Sequence, residues 1–185
     1  MKRLTLIKVA CCLACFMFVV VEACINVLPS VEALSPRSFD APVQITETTF
    51  PDVNFRTYVK SHIDSNSDGF LTPKECDSVT AIGTFDEETL EVQDAGLRGK
   101  GISDITGIEN FPYLESLVIS QNSLDTVNLS HNTQLTQLDL RENSKTPGAA
   151  FSLNIGNSSS EVTVLVSQDS SVSGGTKNVT VKQVD

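Results

Sequence analysis

The sequence predicts an α+β protein: a small helix–loop–helix unit, then a short solenoid of stacked β coils, then a β cap. Three observations predict it. The stretch from Asp64 to Glu75 spaces acidic and amide residues around one glycine, between two helical patterns. A pattern of Leu, Ile and Asn recurs with a period of about 21 residues in the middle of the chain. Valines alternate with other residues over 162–166 and 179–181 near the end.

The chain begins with a segment that stands outside the fold. Lys2, Arg3 and Lys8 precede an apolar run from Val9 to Val21. A basic start, an apolar centre and a small residue beyond it make a secretory signal. Cleavage fits after Ala33 and also after Ala23, so 1–33 is read as signal peptide and 34–49 as linker. Two alternatives stay open. Extension past Glu22 to Leu28 reaches the roughly 20 residues of a membrane-spanning helix, which would leave an uncleaved anchor. Cys24 after Ala23 offers a lipoprotein site. Each version implies a secreted or cell-surface protein. Cys11, Cys12, Cys15 and Cys24 fall in this leader, so Cys76 alone is left. The mature chain then has no internal disulfide, and Cys76 reads as a small buried apolar residue.

Composition narrows the function. The chain has 185 residues with 23 acids against 13 bases, a net charge of -10. That excludes a binder of nucleic-acid backbones, which needs clustered Lys and Arg. An acidic surface favours solubility and bound cations.

The loop from Asp64 to Glu75 meets every constrained position of the EF-hand pattern. Calcium is a hard cation and takes six to eight oxygens. Positions one, three and five supply converging side chains, here Asp64, Asn66 and Asp68. Position six turns sharply, which suits Gly69. Phe70 supplies a backbone carbonyl, Thr72 acts directly or through water, and Glu75 supplies a carboxylate with two oxygens. Before the loop, Phe55, Tyr58, Val59, His62 and Ile63 recur at helical spacing, with Asp52 as cap and His62 partly buried. After it, Thr72-Pro73-Lys74-Glu75 is a capping box with Pro at the first helical position. Residues 50–80 are therefore the EF-hand-like calcium-binding segment, with Ca2+ as cofactor. Magnesium fits less well, because it resists a cage of many protein oxygens. His62 and His131 have no third partner for a zinc set.

Residues 85–145 are read as leucine-rich repeats. Leu114-x-x-Leu117-x-Ile119-x-x-Asn122-x-Leu124 fits the consensus, and Leu135-x-x-Leu138-x-Leu140-x-x-Asn143 repeats it. Leu117 and Ile119 point inward from a short strand, and Asn122 turns its amide to the backbone of adjacent coils. Leu90 and Val92 are expected as an earlier strand, and Ile102, Ile105, Ile108 and Phe111 as the return path. Leu153-Asn154-Ile155 followed by Val162, Val164 and Val166 looks like a degraded copy of Val127-Asn128-Leu129 followed by Leu135, Leu138 and Leu140. Residues 146–185 are read as this degenerate repeat plus a β-hairpin cap, with Ser173-Gly174-Gly175 turning the chain. Asn128, Asn157 and Asn178 lie in glycosylation-type triplets.

With these motifs in place, the chain resembles exported bacterial leucine-rich repeat proteins that carry a calcium-type helix–loop–helix ahead of the repeats. The resemblance runs over about residues 50–145. It lies in Phe50-Pro51-Asp52-Val53-Asn54-Phe55-Arg56, the loop, the stretch from Gly101 to Pro112, and the stretch from Leu129 to Thr136. The architecture is similar to that of internalin-like proteins, and the chain looks like a minimal member with few repeats and no wall-sorting motif. The resemblance implies a protein–protein interaction module at or outside the cell surface.

No nucleophile–base motif, zinc signature or phosphate loop occurs in the sequence, so the expected function is not enzymatic. The expected partner is an unknown protein, with neither nucleic acid nor small-molecule substrate. The candidate partner face is the outward side of the strands: Glu91 and Gln93; Ser116, Val118 and Ser120; Gln137, Asp139 and Arg141. It has no Tyr or Trp anchor, which predicts weak affinity from this face. The alternative is a calcium-dependent docking component of a larger surface complex.

Overall fold

The structure is a computed structural model, and it describes residues 41–143, 150–155, 161–167, 171–173 and 179–184. The signal-peptide reading of 1–33 and the triplets at Asn157 and Asn178 lie outside the described residues. Among the described residues no helix is long and apolar enough to cross a membrane.

The helix–loop–helix forms as its sequence predicts. Helix α1, Val53–His62, starts where the Asp52 side chain accepts from the Asn54 and Phe55 amides. It buries Phe55 and Val59, and Phe55 meets Phe50 edge-on at 5.7 Å. Helix α2, Pro73–Ser78, has the full Thr72–Glu75 capping box and buries Cys76. Burial, then the nearby Asp77 and Glu75 charges, push the Cys76 thiol up to about 11, so it is inert packing. His62 is exposed and stacks on Tyr58 at 4.3 Å, rather than lying partly buried as expected.

The segment read as linker joins the fold from at least Val43. Strand β1, Val43–Gln44, pairs antiparallel with β2, Phe70–Leu71, inside the loop. Ile45 and Phe50 are buried in the same core as the coils. The reason is physical: a lone loop strand leaves backbone groups unpaired, and β1 satisfies them.

From Ala81 onward two sheets are built of parallel strands. The strands β3 (Ala81–Ile82), β6 (Ser116–Val118), β8 (Gln137–Asp139), β10 (Val162–Ser167) and β12 (Val179–Val184) form one five-stranded sheet, side by side in chain order. The strands β7 (Thr126–Leu129), β9 (Ala150–Ile155) and β11 (Ser171–Ser173) form a second parallel sheet. The chain alternates between the sheets, one coil per round. Ile82, Leu117, Leu138, Val164 and Val181 stand in one register row. The first four are at most 1% exposed, whereas Val181, on the last rung, is 42% exposed. In the second sheet Val127, Asn128 and Leu129 pair with Leu153, Asn154 and Ile155, the correspondence read from sequence.

Two expectations are corrected. The valine stretches 162–166 and 179–181 do not make a hairpin: β10 and β12 run parallel, with Val164 beside Val181. Parallel neighbours need a crossover, and β11 lies in the other sheet on that path. Alternation looks the same in both arrangements, so the sequence could not separate them. Leu90 and Val92 are also not a repeat strand, because the first rung is Ala81–Ile82. Val92 belongs to β5, Val92–Asp94, which pairs antiparallel with β4, Thr84–Phe85. This excursion lies over the outward side of the five-stranded sheet, where Phe85, Val118 and Leu165 form a small second core flanked by Leu90 and Val92.

The helical unit and the coils share one continuous core from Ile45 to Val166. Polar ties reinforce it. The second oxygen of Asp52 accepts from the Ser103 amide at 2.9 Å, and Asn54 donates to the Gly101 carbonyl at 3.1 Å. Burial raises the Asp52 carboxyl, but the donors Ser103, Phe55 and Asn54 outweigh it and hold the group below its ordinary range. Gly107 fits beneath Phe50 with φ 106, and a Cβ there would sit 2.2 Å from the ring.

Candidate metal centre and partner face

The loop winds through a network of its own donors. Asp64 lies just beyond the Ile63 cap of α1 and is buried, with 6% exposure. Its carboxylate accepts from the Asp68 amide at 3.3 Å and the Gly69 amide at 3.0 Å. The Asn66 side chain accepts from the Asp68 amide at 3.0 Å and donates to the Asp68 carboxylate at 2.9 Å. Asp68 in turn accepts from the Phe70 amide at 2.8 Å. Gly69 has φ 82, the left-handed turn expected at the sixth position.

Glu75 closes the loop end to end. One oxygen accepts from the Ser65 amide at 2.8 Å and the Ser65 hydroxyl at 2.6 Å. The other accepts from the Thr72 amide at 2.9 Å and the Thr72 hydroxyl at 2.8 Å. The Ser65 hydroxyl foremost, then the Thr72 amide, hold the Glu75 carboxyl down to about 2, against the opposing effect of burial.

This depression sets a pH dependence. A lowered folded pKa contributes stability that is present above the ordinary 4.5 and is lost as pH falls toward about 2. In chelator, urea unfolding of the parent should weaken with falling pH across that window. Glu75→Gln should flatten this part of the profile, and an equal slope in both proteins would refute the assignment.

All six candidate ligands supply oxygen: the side chains of Asp64, Asn66, Asp68, Thr72 and Glu75, and the Phe70 carbonyl. In kind and order the set suits a hard cation. Among the described residues no group of three or more His, Cys, Asp or Glu side chains is gathered as a metal site. The carboxylates are closed on loop donors instead. Beside the loop lies a cleft of about 570 Å³, lined by Tyr58, His62, Ser65, Glu75, Val79 and Ile82 among others.

The expected partner face is mostly shut. Val118 and Asp139 have no exposure, Ser120 has 2% and Ser116 has 6%. The β4–β5 excursion covers this side: the Ser116 hydroxyl donates to the Gly83 carbonyl at 2.8 Å, and the Gln137 side chain donates to Glu87 at 3.1 Å. Glu91 and Gln93 are exposed, on the cover itself. Arg141 folds back on Asp139 in a two-pronged ion pair, with 2.8 Å and 2.9 Å contacts.

The inward asparagines behave as expected. Asn122 donates to the carbonyls of Leu97, Ile119 and Ser120 at 2.8–3.0 Å and accepts from the Ile102 amide at 2.9 Å. Asn143 donates to the Ile119 carbonyl of the preceding coil at 2.8 Å. Sequence reasoning gave no structural role to Asn132, which is fully buried and donates to the Ile108 and Phe111 carbonyls at 2.9 Å. It stands outside the consensus, although its offset from Phe111 is the same 21 residues.

No family model matches the chain, and no curated protein matches it. Among solved structures, the chain is similar to an internalin (InlF) from Listeria monocytogenes, with 18% sequence identity and a TM-score of 0.45. The match covers 72% of this chain and 48% of the internalin, so the chain spans about half the length of that protein.

Proposed function

We propose that this is a leucine-rich-repeat interaction module that works outside the cell and is stapled at its N-terminal side by calcium. The observation that carries the repeat reading is the register row from Ile82 to Val164, together with asparagines that bond from one coil to the next. Calcium is supported by the order of oxygen donors from Asp64 to Glu75 and by the left-handed turn at Gly69. Bound there, the cation would offset the repulsion of the loop carboxylates. Asp64, Asn66, Asp68, Thr72 and Glu75 would hold it through side chains, and Phe70 through its carbonyl. A single extracellular loop binds with Kd on the order of 0.1–1 mM, which at excess calcium stabilises by about 1–3 kcal/mol.

The test is thermal melting of the chain from Leu34 with and without millimolar calcium. The parent should gain several degrees and Glu75→Gln should gain none. Superimposable parent curves would remove the calcium reading. The partner reading is tested separately, by capture of a protein from envelope or host-surface extracts.

A second reading is a calcium-dependent docking component. It is favoured by the cleft that shares Ser65, Asn66, Thr72 and Glu75 with the loop. Capture that stops in chelator, while the coils stay folded by circular dichroism, would select it over the purely structural role.

A further inference from the structure

We propose that the Ser65 hydroxyl competes with the cation for Glu75 and thereby sets the loop's affinity. The proposal rests on the calcium reading and deepens it. A carboxylate offers about four lone-pair positions. At Glu75 four donors occupy them: the amide and hydroxyl of Ser65 at 2.8 and 2.6 Å, and the amide and hydroxyl of Thr72 at 2.9 and 2.8 Å. A cation approaching Glu75 must therefore displace a donor.

The four are not equally removable. Both amides are fixed by the backbone, the Thr72 amide within the helix cap. The Thr72 hydroxyl also accepts from the Glu75 amide at 3.3 Å, so turning it away breaks the cap. The Ser65 hydroxyl is held otherwise. Ser65 is exposed, and among the described residues its hydroxyl bonds to Glu75 alone. It turns away by rotation about one side-chain bond, and it makes the shortest of the four contacts. A loop with alanine at this place would present Glu75 with one position open.

The test is calorimetric titration of calcium chloride into the full chain, for the parent, Ser65→Ala and Ser65→Thr. Ser65→Ala should bind about threefold to tenfold more tightly, the net effect of one solvent-exposed hydrogen bond that no longer has to break. Ser65→Thr keeps the hydroxyl and should stay within about twofold of the parent. In chelator, Ser65→Ala should melt below the parent, because the closing bond is gone. Parent binding with unchanged or weaker affinity in Ser65→Ala overturns the competition and leaves the calcium reading standing. Absence of parent binding at about 10 mM calcium overturns both.

Discussion

Replacing Arg141 with methionine is expected to cost about 3–5 kcal/mol, because it strands a charge that has no water to return to. The Asp139 side chain has no exposure, and that of Arg141 keeps 17%. The guanidinium grips both carboxylate oxygens, at 2.8 and 2.9 Å, and the Arg141 amide adds a third donor at 3.1 Å. The hydrogen bond to Asp139 foremost raises the Arg141 pKa above its ordinary range, against burial. Lysine should not rescue it, since a point charge cannot fork across two oxygens. Removing both charges in Asp139→Leu with Arg141→Met should recover most of the loss, because the pair is worth little against apolar residues of similar size. Urea unfolding of the two single variants and the double variant decides this. Additive losses in the double variant would mean that the pair is not a coupled unit.

Asn122→Ala is expected to cost about 3 kcal/mol or more, from roughly 1–3 kcal/mol for each buried backbone group left unmet. The side chain serves the Leu97, Ile119 and Ser120 carbonyls and the Ile102 amide, so its loss strips one coil from the next. Asn122→Asp keeps an acceptor for Ile102 but offers no N–H to the carbonyls, and should be no better. Asn128→Ala is the control: Asn128 is exposed on β7, and its loss should stay within about 0.5 kcal/mol. Equal midpoints for Asn122→Ala and the control would refute the inward ladder.

Much of this was legible because it is local. The Thr72–Glu75 cap, the left-handed Gly69 and the Asp52 cap depend on residues a few places apart, and backbone chemistry dictates each. Leu117, Leu138, Asn122 and Asn143 were legible because the same offset returns them to the same place in the next coil. What stayed hidden depends on distant residues meeting. Phe85, Val118 and Leu165 form one cluster, yet nothing periodic links them. The signal was an apolar Val118 among outward positions that otherwise read as polar, which asked for a cover. The direction of the last strands was hidden for another reason: pleating fixes which side a valine faces, and leaves open how its neighbour runs. In the loop from Asp64 to Glu75, the order of oxygen-bearing residues was legible. The occupation of Glu75 by hydroxyls was not, since it depends on how Ser65 and Thr72 turn.

The cover over the sheet begins and ends at one point. Gly83 and Gly96 flank it, and a Cβ built on Gly83 would lie 3.0 Å from the Gly96 Cα. The excursion between them is therefore a handle whose two roots touch, so a substitute of another length can close the same gap, provided that it covers Val118 and Leu165 as Phe85 does. Residues 84–94 can be treated as a replaceable cassette. Trimmed away, they would bare a trough running from Val118 to Leu165, and a library of substitutes inserted there would turn the molecule into a mount for selected recognition loops.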